Sequence, residues 1–357
     1  MATEILNVLL PGVIAFIIGI AITPFVTHIL YARKAWKKTS GKHDLEGNET
    51  PIFNALHQSK EVGTPRMGGV VIWLSVIATT LLFTILARLT SDFEPLDFLE
   101  RSQTWLPFAA LLVGAVIGLV DDLFEIRGKG FSSSPRRGGL PLGTRLLMVV
   151  IAGLFAGWWF YAKLDVSSIG VPFYGPLELA WLIIPLFVLV MVGLYTSGVI
   201  DGIDGLSGGV FASVFAAYAL IAFTQGQYDL AAFTSAVLGA LLAFLWFNVP
   251  PARFYMSETG SMALMLALAV IVFMTDTLGE GEGVLLLPLI GFLLVVTAAS
   301  SVLQIFWKKV FKRKLFSVAP LHHYFESIGW PSYKITMRYW ILGVLLAFLG
   351  VIVALIS

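Results

Sequence analysis

The stretch that decides the fold runs from Leu179 to Phe223 and reads LAWLIIPLFVLVMVGLYTSGVIDGIDGLSGGVFASVFAAYALIAF. Two apolar runs flank a short turn in which Asp201 and Asp204 are each followed by glycine. By length and composition, both runs are candidate membrane helices. An ionised group between two such helices is costly, so it is usually functional or paired. The stretch therefore predicts a membrane helical hairpin with a functional turn, and a merely solvated, flexible turn is the alternative.

The rest of the chain has the same apolar character. Its 357 residues are 58% hydrophobic and 13% charged, and the mean hydropathy is +0.88. These values exclude an ordinary soluble domain and indicate an all-α polytopic membrane protein. The chain has no cysteine, which excludes disulfides, thiolate catalysis and cysteine-ligated metals. We expect a single integral membrane domain over residues 1–357.

Apolar runs long enough to span a bilayer number about ten. They lie near Ile5–Tyr31, Gly68–Leu89, Trp105–Val120, Leu146–Tyr161, Leu179–Ser197, Gly209–Phe223, Leu230–Val249, Ser261–Thr277, Val284–Trp307 and Met337–Ile356. We expect the first run to be a retained membrane helix, because it has neither a basic start nor an evident cleavage site. Residues Asp165–Pro176 place Val, Ile, Phe and Tyr around Gly and Pro, which favours a small hairpin.

Basic residues are sorted strongly between alternate loops. Twenty of the 23 Lys and Arg residues fall in one set of loops, and only Arg88, Arg101 and Lys163 lie elsewhere. The positive-inside rule makes the basic face cytoplasmic, and an even number of spans then puts both termini outside. The groups that could perform chemistry lie on the same basic face. The active site is therefore expected at the cytoplasmic surface.

Asp121 and Asp122 end the third apolar run, in GLVDDLF. Adjacent carboxylates repel each other, and a divalent cation relieves that repulsion. Mg²⁺ typically uses one or two carboxylates together with substrate phosphates. The alternative is an interfacial pair that only stops the helix, although aspartates are unfavourable at a helix C-terminus.

Two further groups lie on this face. Glu258 stands just before the eighth run, in MSETGS, where it could hold a cation or cap the exposed amides of the helix. His322 and His323 follow a basic cluster, and paired imidazoles suit phosphate binding or proton transfer, or they are simply interfacial. Together these residues suggest a Mg²⁺-assisted reaction on a phosphorylated substrate. The basic run Lys308–Lys314 is better explained as an anchor to anionic lipid headgroups.

Five segments, taken together, resemble one enzyme family. They lie, in chain order, at Gly63–Gly69, Asp121-Asp122, Asp201–Leu206, Glu258–Ser261 and Ala319–Pro331. They are similar to those of the bacterial phospho-N-acetylmuramoyl-pentapeptide transferases, within the polyprenyl-phosphate N-acetylhexosamine-1-phosphate transferases. The most specific segment is the last, in which APLHHYFE is followed by GWP. The resemblance covers nearly the whole chain.

The resemblance implies an activity and a location. Phospho-MurNAc-pentapeptide would pass from its UDP derivative to undecaprenyl phosphate, which gives lipid I and UMP for peptidoglycan synthesis, and so for cell wall biogenesis, cell shape and cell division. The enzyme would be a Mg²⁺-dependent, multi-pass protein of the bacterial inner membrane. Its partners would be the two substrates and the bilayer, with no nucleic acid. A homodimer is allowed by the sequence but not indicated by it.

The resemblance also implies roles for individual residues. Asp121 would act on the lipid phosphate beside Asp122, and Asp201 would be a second active-site aspartate. The resemblance also implies catalytic roles for His322 and His323, which match the first two of three consecutive histidines in the family. The implied substrate-binding residues are Lys60, Gly202, Ile203, Asp204, Asn248 and Tyr255, with uridine bound at the turn from Gly202 to Asp204. The metal ligands would be Glu258 and Asp201.

The chain departs from the family pattern at several of these places. Glu258 replaces a metal-binding aspartate, and Ser257 replaces the glycine before it. The other departures are Tyr195 and Gly198 for two asparagines, Tyr324 for the third histidine, Arg66 for a threonine, and Glu125 for a lysine. Two other functions stay open beside an active lipid I synthase: a related transferase for another UDP-N-acetylhexosamine, and a non-catalytic relative that binds polyprenyl phosphate.

Overall fold

The computed structural model describes residues 2–37, 62–99, 102–127 and 139–357, so the predicted substrate-binding residue Lys60 lies outside the described part. The helices are α1 (Ala2–Ala32), α2 (Val70–Leu89), α3 (Trp105–Arg127), α4 (Leu142–Lys163), α5 (Ile183–Ser197), α6 (Leu206–Thr224), α7 (Tyr228–Asn248), α8 (Ser257–Met274), α9 (Gly283–Ile290), α10 (Phe292–Phe311), α11 (Leu321–Ser327) and α12 (Ser332–Ile356). The strands are β1 (Ser168–Val171) and β2 (Gly175–Glu178).

Ten of the described helices are long and apolar enough to cross a membrane, when α5 is counted with the 3₁₀ turns that extend it over Ala180–Ile200. This confirms the predicted all-α polytopic fold. The ninth predicted run, Val284–Trp307, is wrong as one helix, because it divides at Gly291 into α9 and α10. Pro288 removes a backbone donor inside α9, and glycine is a poor helix former, so both residues favour a break here.

Helix α3 continues beyond the predicted end of its apolar run. The run ends near Val120, whereas the helix extends to Arg127 and so includes Asp121, Asp122 and Glu125. The alternative interpretation, in which the aspartate pair only stops the helix, is therefore wrong. The pair lies inside the last two turns, where its neighbours hold it by hydrogen bonds and ion pairs described below.

Helix α8 is the centre of the bundle. Each of its residues is buried except Glu258, which lies in the first turn. Helix α3 packs closely against it, because Gly118 has no side chain where one would overlap the Glu258 backbone carbonyl. Small residues of this kind allow close helix contact in membranes. The close packing brings the acidic end of α3 to the beginning of α8.

The predicted hairpin at Asp165–Pro176 is present as the antiparallel strands β1 and β2. It is attached to the far end of α8 through Asp276, which is buried. The carboxylate of Asp276 accepts N–H bonds from Gly170 at 2.8 Å and from Val284 at 2.8 Å. Burial raises the pKa of Asp276 to about 6, against the opposing effect of these hydrogen bonds. This carboxylate therefore ties the hairpin to the beginning of α9.

Candidate active site

Carboxylates from two parts of the chain meet at the beginning of α8. Asp122, on α3, accepts hydrogen bonds from the Thr259 backbone N–H at 2.9 Å and the Thr259 hydroxyl at 2.6 Å. Asp201, in the turn between α5 and α6, accepts the Ser257 N–H at 2.9 Å. The first turn of a helix presents unpaired N–H groups and the positive end of the helix dipole. Helix α8 thus gathers two acidic groups that its own sequence does not contain.

Arg145 joins two more carboxylates. Its Nη1 lies 2.7 Å from Glu258 Oε1 and 3.5 Å from Asp121 Oδ2. The backbone N–H of Leu140 also donates to Asp121, at 2.6 Å. The sequence placed Arg145 only among the cytoplasmic basic residues, because no local motif distinguishes it from the others. The fold makes it a cation at the centre of the acidic cluster.

Arg66 and Glu125 form a second charged pair beside Asp122. Arg66 Nη2 lies 3.0 Å from Glu125 Oε2, and Arg66 Nε lies 3.7 Å from Asp122 Oδ1. Lys37 Nζ contacts the other oxygen of Glu125 at 3.5 Å. Burial alone would lower the pKa of Arg66, but the surrounding carboxylates together raise it above its ordinary value. The two departures, Arg66 and Glu125, are therefore paired with each other in the fold.

The acidic cluster has the composition of a site for a hard cation. One oxygen from each of Asp121, Asp122 and Glu125 lies within 4.8 Å of the others. Asp122 Oδ1 is buried and accepts no hydrogen bond from the described residues. Carboxylate oxygens are the ligands that Mg²⁺ prefers. Lys37 and Arg66 compensate the charge of Glu125. The contacts of Asp121 with Arg145, at 3.5 Å, and of Asp122 with Arg66, at 3.7 Å, are longer than the 3.0 Å contact between Arg66 and Glu125.

The two histidines lie against the turn that carries Asp201. A side-chain atom added at Gly202 would be 2.6 Å from His322 Nε2 and 2.7 Å from His323 Nε2. Glu326 lies 2.6 Å from His323 Nδ1 and orients that ring. The glutamate is held in turn by the Ser332 hydroxyl at 2.6 Å. The role of Glu326 was not predicted, although its position three residues after His323 on one helix could have indicated it.

The turn from Asp201 to Gly205 is held by the last residue of α7 and by the segment that follows it. Asn248 Oδ1 accepts the Gly205 N–H at 3.0 Å, and its Nδ2 donates to the Phe254 carbonyl at 2.8 Å. Asp204 accepts the Ala252 N–H at 3.2 Å. Both functional ends of the buried Asn248 amide are therefore used inside the protein. This geometry gives Asn248 a positioning role for the turn.

We predict that Asn248→Ala destabilises the whole site. The change leaves buried polar groups at Gly205 and Phe254 without partners, at about 1–3 kcal/mol for each group. The apparent midpoint of thermal unfolding of the purified protein should fall, and activity should fall with the folded fraction. Asn7→Ala, in α1, is the control and should leave the midpoint unchanged. An unchanged midpoint for Asn248→Ala would contradict the positioning role.

Comparison with known proteins defines the class of this chain. Residues 104–276 match the family described as Glycosyl transferase family 4. The matched range includes Asp121, Asp122, Asp201 and Glu258, and so most of the acidic site. The fold and the match together define a multi-pass membrane transferase.

Individual relatives identify the branch. The phospho-N-acetylmuramoyl-pentapeptide-transferase of Bacillus subtilis (strain 168) is 36% identical over 298 residues, which cover 83% of this chain and 85% of the relative. The protein of the same name from Geobacillus thermodenitrificans is 34% identical over 299 residues, with the same coverage. The chain therefore belongs to the phospho-N-acetylmuramoyl-pentapeptide transferase family. It is a multi-pass protein of the bacterial inner membrane.

Proposed function

We propose that this protein transfers phospho-MurNAc-pentapeptide from UDP-MurNAc-pentapeptide to undecaprenyl phosphate, with lipid I and UMP as products. A phosphate oxygen of the lipid attacks the β-phosphorus of the nucleotide sugar. The bond from that phosphorus to the bridging oxygen breaks, and UMP leaves with the electron pair. The observation that carries the proposal is the convergence of Asp121, Asp122, Asp201 and Glu258 at the first turn of α8.

The site has the charges that this reaction requires. Phosphoryl transfer depends mainly on positioning and on neutralising charge. The Arg145 guanidinium is already at the site and can hold a phosphate oxygen once a cation takes its place beside Glu258. We propose that Asp121 acts on the lipid phosphate and that His322 and His323 contact the diphosphate of the donor. His323 keeps its orientation through Glu326.

We propose Glu258 and Asp201 as the residues that hold Mg²⁺. Asp201 accepts the Ser257 N–H, and Glu258 follows Ser257 directly in the chain. Glu258 is also the one residue of α8 that is not buried. When bound, the cation would neutralise negative charge on the phosphates. We propose that uridine binds at the turn from Gly202 to Asp204, with Tyr255 and Lys60 beside it. A homodimer is allowed by the sequence, and nothing in the described residues tests it.

The donor is tested by the release of UMP. Purified protein with undecaprenyl phosphate should release UMP from UDP-MurNAc-pentapeptide and not from UDP-GlcNAc. The reverse preference would assign the protein to a related transferase. No release from either donor, with a folded protein, would favour a non-catalytic relative.

We predict that the acidic site faces the cytoplasm and that both termini are external. The physical reason is the 20-to-3 division of Lys and Arg between alternate loops. A reporter fused after Ser357 should be external, whereas one inserted between Lys37 and Lys60 should be cytoplasmic. Finding both reporters on one side of the membrane would contradict this topology.

A further inference from the structure

Ser257 combines two unfavourable features at the first residue of the central helix. Its backbone φ is +57°, in the left-handed region where a Cβ atom is disfavoured and glycine is preferred. Its hydroxyl is buried, with 4% of the residue exposed, and has no hydrogen-bond partner among the described residues. Buried hydroxyl groups normally have partners, and backbone strain concentrates at functional sites. Together they indicate that a ligand uses this hydroxyl.

The position of Ser257 shows which ligand is chemically suitable. Its N–H donates to Asp201 at 2.9 Å, and its Oγ is three bonds away from that nitrogen. The next residue is Glu258, which holds Arg145 at 2.7 Å, and the following residue, Thr259, holds Asp122. The backbone around Ser257 thus contacts two acidic residues, while its own hydroxyl is buried without a partner in the described part of the chain, and its oxygen has lone pairs that a cation can use. A divalent cation is therefore a chemically suitable ligand.

We propose that the Ser257 hydroxyl is an oxygen ligand of the divalent cation held by Asp201 and Glu258. The inference rests on the proposed function, because it uses the same cation site. Hard cations such as Mg²⁺ take oxygen ligands, and a serine or threonine hydroxyl fills this role in nucleotide-hydrolysing enzymes. In this strained conformation the Ser257 N–H donates to Asp201, so the residue that carries the hydroxyl is fixed next to one proposed ligand and directly precedes the other, Glu258.

Two substitutions separate the hydroxyl from the backbone conformation. Ser257→Ala removes the hydroxyl and keeps the Cβ atom, so the backbone strain stays. Ser257→Gly removes the hydroxyl and also relieves the strain, because glycine adopts positive φ freely. Ser213→Ala, which removes a buried hydroxyl on α6, is the matched control. All proteins are the full chain, purified into lipid nanodiscs.

The readout is the binding of Mn²⁺, used as the probe for the site and measured as free Mn²⁺ by electron paramagnetic resonance. Ser257→Ala and Ser257→Gly should each weaken Mn²⁺ binding by about 10- to 100-fold, the range for groups that support a metal site. Without metal, Ser257→Gly should also raise the apparent midpoint of thermal unfolding above that of the parent. A change that stabilises the protein and weakens metal binding is not expected from a purely structural residue.

Several outcomes decide the proposal. Mn²⁺ binding by Ser257→Ala that equals the parent, or a parent that binds no Mn²⁺, would overturn it. Loss of Mn²⁺ affinity in Ser257→Ala but not in Ser213→Ala would support it. Because the readout is binding, a parent that binds Mn²⁺ but releases no UMP would refute the proposed function and leave the Ser257 assignment standing.

Discussion

Asp201→Asn is expected to reduce turnover by on the order of a hundred- to a thousandfold, with the protein still folded. Asparagine keeps the size of the side chain, and its amide oxygen can still accept the Ser257 N–H that Asp201 now accepts. The Ser207 hydroxyl, 2.7 Å from Asp201 Oδ1, can rotate and accept from the new amide nitrogen. The variant therefore loses the negative charge that attracts the cation and keeps the local structure. The measurement is the rate of UMP release, with thermal unfolding as the check on folding.

Asp121→Asn tests the same reasoning on the other side of the site, and a comparable loss is expected. Asp97→Asn is a matched control, because Asp97 accepts hydrogen bonds from Thr84 and Leu99 outside the site. The control should keep the parent rate. Near-parental turnover in Asp201→Asn would show that the Asp201 carboxylate is not needed for the reaction.

Glu258→Gln is expected to abolish Mg²⁺-dependent turnover, whereas Glu258→Asp should keep part of it with a changed Mg²⁺ requirement. Mg²⁺ requires nearly ideal octahedral geometry at about 2.0–2.1 Å, so the length of the side chain matters. A displacement of about 1 Å in a reacting group can cost on the order of a hundredfold. In the parent, Glu258 also shares Arg145 with Asp121, and glutamine could still accept from the guanidinium but would not neutralise its charge.

The measurement is a Mg²⁺ titration of UMP release for the parent and the two Glu258 variants. A glutamine variant with the parent's titration curve would show that Glu258 is not a metal ligand and serves only at the end of the helix. The cation would then have to be held by other carboxylates, such as Asp121 and Asp122.

The spans could be predicted from the sequence because a bilayer fixes the length and the apolar character of each helix. The hairpin was found because its turn residues and β-branched residues are adjacent in the chain. The break at Gly291 was missed, since a continuous apolar run conceals it. The end of α3 was also missed, because its last turns are charged and are paired with residues from distant segments.

The acidic residues of the site could be predicted because ionised groups are rare and costly at a membrane. The residues that pair with them could not be predicted from the sequence. Thr259 holds Asp122 across 137 positions of sequence, and Arg145 holds Glu258 across 113. Contacts at such separations leave no local pattern. The pairing of Arg66 with Glu125 likewise became evident only when the fold placed them 3.0 Å apart.

We propose above that the protein transfers phospho-MurNAc-pentapeptide to a lipid phosphate at the site formed by the carboxylates at the beginning of α8. The most direct test incubates the purified protein with UDP-MurNAc-pentapeptide, undecaprenyl phosphate and Mg²⁺, and measures UMP and the lipid product by mass spectrometry. We expect UMP and lipid I in equal amounts from the parent, and neither above background when a chelator is added. Asp201→Asn should form both at a rate lower by on the order of a hundred- to a thousandfold. A folded parent that forms no lipid I, or an Asp201→Asn variant that forms it at the parent's rate, would contradict the account.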